Sequence, residues 1–90
     1  MFCYKKVITS KNSGTLELHS NRNFPSKASC RKAMESDAKE TFLYWNVKEN
    51  SLYEPAKYVS EDFDKIIVEF STVWHRGLDR FNFEYSIEEV

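Results

Sequence analysis

Apolar residues alternate with polar ones at both ends of the chain, and the period changes between those ends. Phe2, Tyr4 and Ile8 alternate with polar neighbours, as do Leu16 and Leu18, and Lys11-Asn12-Ser13-Gly14 lies between the two runs. This pattern predicts a hairpin whose turn uses Gly14 at a positive φ. Phe24-Pro25-Ser26 then reads as a helix entry, with Ser26 as the cap and Phe24 positioned to staple the first turn. Residues 27–40 are rich in Ala, Lys, Glu and Met, which favours a helix. Its apolar stripe is thin, namely Cys30, Ala33, Met34 and Ala38. Small residues let such a helix lie close to a sheet, while the modest area they bury leaves its stability dependent on propensity and neighbours.

Residues 41–47 (TFLYWNV) form a short run of β-branched and aromatic residues and predict a central strand, with Phe42 and Tyr44 on one face and Leu43, Trp45 and Val47 on the other. After the turn-like residues 48–51 a short strand is expected, demoted to an edge or a loop by Pro55. Phe63, Ile66, Ile67, Phe70, Val73 and Trp74 recur at three-four spacing between Ser60 and Gly77, which predicts a second helix over 61–76. A strand over 65–70 is the rival, because Ile and Val are β formers. Phe81, Phe83, Tyr85 and Ile87 alternate with polar residues and predict a half-buried final strand.

The expected fold class is α+β: one two-layer domain over residues 1–90, with a mostly antiparallel sheet of four to five strands, two helices on one face, and the order ββαβ(β)αβ. The other sheet face would then be open and carry polar alternates together with Trp45. Ring faces on an open sheet are a platform for single-stranded RNA, but this chain has no RNP-type basic-Gly-aromatic segment.

Composition narrows the classes. The 90 residues are 41% hydrophobic and 30% charged, which excludes a disordered chain, and the 16% aromatic content has to supply most of the core. Two glycines exclude glycine-dependent phosphate loops, and two cysteines are too few for a disulfide scaffold, so a reducing cytoplasmic setting is expected. The N-terminus lacks the apolar run of a signal peptide, and no stretch reaches the ~18 apolar residues of a membrane span.

Charge is distributed unevenly. Residues 1–34 carry seven basic residues against the single Glu17, a net of +6, whereas residues 35–90 carry six bases and thirteen acids, a net of −7. The first predicted helix also opposes its macrodipole, with Lys27, Arg31 and Lys32 near its start and Glu35, Asp37 and Glu40 toward its end. Departures from local rules are where functional sites gather. Ser26, Lys27, Arg31 and Lys32, with the free N–H groups of the helix start and extended by Lys5, Lys6 or Arg22, therefore form the candidate partner- or anion-binding site. A plain solvated surface neutralised by the chain's own acids is the competing reading.

Catalytic and metal motifs are absent from the sequence: it contains no G-x-x-x-x-G-K-[ST], G-x-S-x-G, H-E-x-x-H or C-x-x-C. His19, His75, Cys3 and Cys30 are the available nitrogen and sulfur ligands, but no two have the close spacing of a zinc finger, so neither metal nor cofactor is expected. The favoured function is a non-enzymatic interaction protein, a small inhibitor, antitoxin-like or regulatory factor docking a larger protein through oppositely charged surfaces. In size and makeup the chain resembles the small proteins with which phages and bacterial competition systems neutralise a larger target, although no motif carries that likeness. The alternative is RNA binding through the basic N-terminal third, which the sequence pI of about 6.1 disfavours. The third class is a small RNase-like enzyme using His75 with Arg76 or Arg80. Bipolar charge also permits head-to-tail self-association.

Overall fold

The computed structural model describes residues 1–45, 55–74 and 77–90. Five strands and one helix follow in the order β1 (Phe2–Ser10), β2 (Gly14–His19), α1 (Lys27–Leu43), β3 (Lys57–Asp62), β4 (Lys65–Trp74) and β5 (Gly77–Glu89). The strands form one antiparallel sheet in the order β2-β1-β5-β4-β3. The helix packs on one face, so the α+β class holds with a single described helix and with β5 at the centre.

The first hairpin forms as its pattern predicts. Ile8 pairs with Leu16 and Lys6 with Leu18, and Gly14 closes the turn at φ +90°, a backbone region that L side chains rarely adopt. A buried carboxylate holds this turn: Asp79 accepts the Ser10 hydroxyl at 3.0 Å and the Asn12 N–H at 3.3 Å. Ser26 caps α1 by accepting the Ser29 N–H at 3.1 Å, and the Ser29 hydroxyl takes the reciprocal bond from the Ser26 N–H. Cys30, Met34 and Ala38 form the fully buried stripe of the helix.

Two expectations are corrected. The run from Thr41 to Leu43 is not a strand but the last turn of α1, and Tyr44 and Trp45 continue in helical form; Asn46 and Val47 lie outside the described residues. The helical face wins because its contacts continue the Met34–Ala38 stripe. Thr41 bonds the Tyr85 hydroxyl at 2.9 Å, Phe42 meets Tyr58 edge-on at 6.0 Å, and Trp45 stacks on Phe70 at 4.4 Å. Trp45 therefore belongs to the helix side of the core and not to an open sheet face.

The second helix expected over 61–76 is instead, over residues 61–74, the end of β3, a turn at Phe63 and Asp64, and β4; residues 75 and 76 lie outside the described ones. Ile66, Val68, Phe70 and Thr72 are all buried, while Lys65 and Glu69 are exposed and Ile67 is half-buried, so period two governs. Ile66 and Phe70 satisfy both periods; Phe63, which only the helical stripe would bury, is 51% exposed. Glycine at 77 (φ +115°) opens β5 and does not end a helix, and Ser60 lies within β3. The short strand expected after the turn-like residues 48–51 begins on residues outside the described ones, and Pro55 precedes β3 without joining it. The last strand alternates as expected, and its Phe81, Phe83, Tyr85 and Ile87 are register partners of Ser10, Ile8, Lys6 and Tyr4.

Candidate functional site

The sheet does not gather the seven candidate cations and caps into one patch. Lys5 and Lys6 are neighbours in β1 and so project to opposite faces. Lys5 binds Glu88 at 3.0 Å and Glu17 at 3.6 Å on the helix-free face, and its hydrogen bond to Glu88 raises its pKa. Lys6 reaches Asp37 at 3.5 Å on the helix face. Arg22 lies over the Phe24 ring at 4.8 Å, and Lys27 pairs with Asp64 at 3.1 Å. Ser26 is occupied as the N-cap, and Lys32 is exposed on the helix surface.

Arg31 is the most engaged of the seven. It donates to the Asp62 and Phe63 carbonyls at 3.3 and 2.9 Å and to the Ser60 hydroxyl at 2.7 Å, binds Glu35 at 3.2 Å, and lies 5.6 Å from the Phe63 ring centre. It clamps α1 onto the β3–β4 turn. Head-to-tail association driven by charge would thus compete with pairs already made inside the chain.

A second network anchors the middle of the helix. Tyr4 donates to Asp37 at 2.9 Å, and the Tyr85 hydroxyl meets Thr41 at 2.9 Å and Asp37 at 3.4 Å. Burial and then the Asp37 carboxylate push the Tyr4 phenol well above its ordinary pKa. Burial does the same to Tyr85, and the Asp37 charge reinforces it.

Beside this network the helix leaves part of its own sheet face uncovered. A trough of about 950 Å³ runs between the C-terminal half of α1 and strands β1 and β5, lined by Lys6, Asp37, Glu40, Leu43, Tyr44 and Phe83 among others. Leu43 and Tyr44 are 54% and 50% exposed on the helix side, and Leu16 and Leu18 are 55% and 41% exposed on β2. Register places Leu16 and Leu18 on the trough side, because Leu16 pairs with Ile8, which pairs with Phe83, and Leu18 pairs with Lys6.

The two sheet edges differ. In β3 the register shifts between Val59 and Asp62, the exposed Glu61 and Asp62 add charge, and Arg31 occupies carbonyls of the adjoining turn. Bulges and charges are the usual protection of an edge. All six residues of β2, by contrast, are exposed and follow a regular ladder. The Ser20 N–H donates to Tyr4 at 2.9 Å, which makes the even-numbered residues of β2 the ones bonded to β1. The backbone groups of Thr15, Glu17 and His19 therefore point out from the edge.

On the helix-free face the register brings together Cys3, His19 and Glu88, whose ligand atoms all lie within 4.8 Å of one another. Among the described residues, register places the strand aromatics on the helix side, so the helix-free face offers no ring for a base to stack on. No described helix is long and apolar enough to cross a membrane. His75 and Arg76, the third-class candidates, lie outside the described residues, while Arg80 is exposed. Comparison with protein-family models, with curated proteins and with solved structures finds no match.

Proposed function

We propose that the chain is a non-enzymatic docking protein, of the inhibitor or regulatory kind, which binds an extended segment of a larger protein partner along the β2 edge. The observation that carries this reading is the regular, unbulged edge of β2 beside two leucines that are about half exposed, when the opposite edge of the same sheet is bulged and clamped. An added strand would take its main-chain hydrogen bonds from Thr15, Glu17 and His19. Alternate apolar side chains of the partner would lie against Leu16 and Leu18 and extend into the trough, which is where specificity would arise. This replaces attraction between oppositely charged surfaces as the main term, since six of the seven candidate residues are already engaged within the chain.

Two substitutions separate the parts of this reading. Proline at Thr15 removes an outward N–H while leaving the bonds to β1, and Leu18→Lys places a charge on the apolar strip. Affinity capture from lysate treated with RNase, followed by crosslinking and identification of the crosslinked positions, should yield a protein joined to β2 in the wild type. Both variants should lose it, and Lys32→Glu should keep it. Retention by Thr15→Pro and Leu18→Lys, or capture that RNase abolishes, would overturn the proposal.

A further inference from the structure

We propose that Cys3, His19 and Glu88 form a binding site for a single Zn²⁺ ion, with a water or partner ligand in the fourth position. Three strands supply one ligand each. Cys3 and Glu88 are direct cross-strand partners of β1 and β5, and His19 pairs with Lys5, two residues along β1 from Cys3, so all three share the helix-free face.

Zinc bond lengths place tetrahedral ligand atoms about 3.3–3.8 Å apart. Ligand atoms already within 4.8 Å of each other need to close by only about 1 Å, which side-chain rotation of His19 and Glu88, 53% and 37% exposed, can supply. The imidazole is also oriented for the task. Its Nδ1 faces the Glu88 carboxylate at 3.9 Å, and its Nε2 faces Glu17 at 3.7 Å. With Nδ1 on the metal, the Nε2 proton points to a carboxylate, as the outer-shell partner of a zinc-bound histidine does. Thiolate, imidazole and a single carboxylate favour Zn²⁺ over Mg²⁺ or Ca²⁺, which prefer all-oxygen sets.

Lys5 shares this ground, its ammonium 3.0 Å from Glu88 and 3.6 Å from Glu17. Metal binding displaces that ammonium from Glu88 and releases the Cys3 thiol proton to solvent, the sulfur's electron pair forming the bond to the metal. Lys5 is thus a built-in competitor, and its removal should tighten binding, which a purely structural set of residues would not do.

The test is titration of the full chain with Zn²⁺, and with Co²⁺ as a spectroscopic probe, each repeated in excess Mg²⁺. One equivalent should bind, with a thiolate-to-cobalt charge-transfer band that Mg²⁺ does not displace. His19→Ala and Glu88→Gln should weaken binding by at least ~100-fold, Glu17→Gln by ~10-fold as an outer-shell loss, and Lys5→Gln should strengthen it. Cys3→Ser should abolish the band. Because Cys3 is buried, thermal melts of each metal-free variant accompany the titration, and the exposed His19 carries the test should Cys3→Ser not fold. The proposal is overturned by absence of saturable Zn²⁺ binding, by unchanged affinity in His19→Ala, or by a cobalt band that persists without Cys3.

Discussion

Replacing Arg31 by alanine distinguishes a clamp from a free binding cation. The side chain is 14% exposed, and its guanidinium joins α1 to three acceptors of the β3–β4 hairpin, two of them backbone carbonyls. Truncation lets water reach those acceptors, so each bond counts at the low end of its range, about 0.5 kcal/mol. Loss of the contact with Phe63 adds about 0.5 kcal/mol. The part-buried ion pair with Glu35 adds little, because Glu35 is 36% exposed and keeps Lys39 as a partner. The total is about 2 kcal/mol, which lowers a urea midpoint by about 1–2 M at the slope usual for so small a domain. Arg31→Lys should recover less than half, since an ammonium cannot span carbonyls and hydroxyl in one plane. Lys32→Ala, one residue on and exposed, should stay within about 0.5 kcal/mol of the wild type. Urea unfolding followed by far-ultraviolet circular dichroism measures all three. Equal midpoints for Arg31→Ala and Lys32→Ala would refute the clamp and return Arg31 to the free surface.

The buried Tyr85 and the half-buried Tyr4 make stability fall in alkali. Tyr4 and Tyr85 have folded pKa values raised above the unfolded value of about 10, so the unfolded chain loses these protons first; their contribution is full below about pH 10 and is lost as pH rises beyond it. Urea midpoints between pH 8 and pH 11 should decline, and the decline should be shallower in Tyr85→Phe, which at neutral pH costs about 1 kcal/mol through the bond to Thr41. A pH-independent midpoint would contradict this. The Thr72 hydroxyl is fully buried with no hydrogen-bond partner among the described residues, so the near-isosteric Thr72→Val should stabilise the fold by about 1 kcal/mol, and a thermal melt showing a loss would mean that the hydroxyl is satisfied.

The elements most legible in the sequence are those whose patterns admit one period. Residues 2–19 alternate around a glycine that must take a positive φ, and 81–87 alternate without interruption, so both became strands in the expected places. The misread segments are those where two periods share their key residues. Ile66 and Phe70 are four apart, which is one helical turn and also two steps along one strand face. Between them stands Val68, fully buried and invisible to the helical reading, and β-branched residues at 66, 67 and 68 favour the strand. Capping signals at Ser60 and Gly77 reinforced the wrong choice because serine and glycine serve strands, turns and helix ends alike. The opposite error occurred at 41–45, where aromatic strand formers are held in a helix by partners distant in sequence, Tyr58, Phe70 and Tyr85.

Charge proved legible as composition but not as surface, and the reason is the same alternation. A run such as Lys5-Lys6 adds to a local sum whichever way its members point, yet in a strand it divides between two faces, one lysine meeting Glu88 and the other Asp37. Spacing rules for metal ligands fail for a related reason, since they describe ligands held by a loop or a helix turn. Cys3 and His19 are sixteen apart, a separation that means nothing until the hairpin register sets His19 opposite Lys5. Glu88 joins them only through the β1–β5 pairing, which connects the two ends of the chain and which no local pattern encodes. In a sheet protein the residues that share a site are therefore found by summing positions across paired strands, and any site that spans β5 and β1 stays hidden until that long-range register is known.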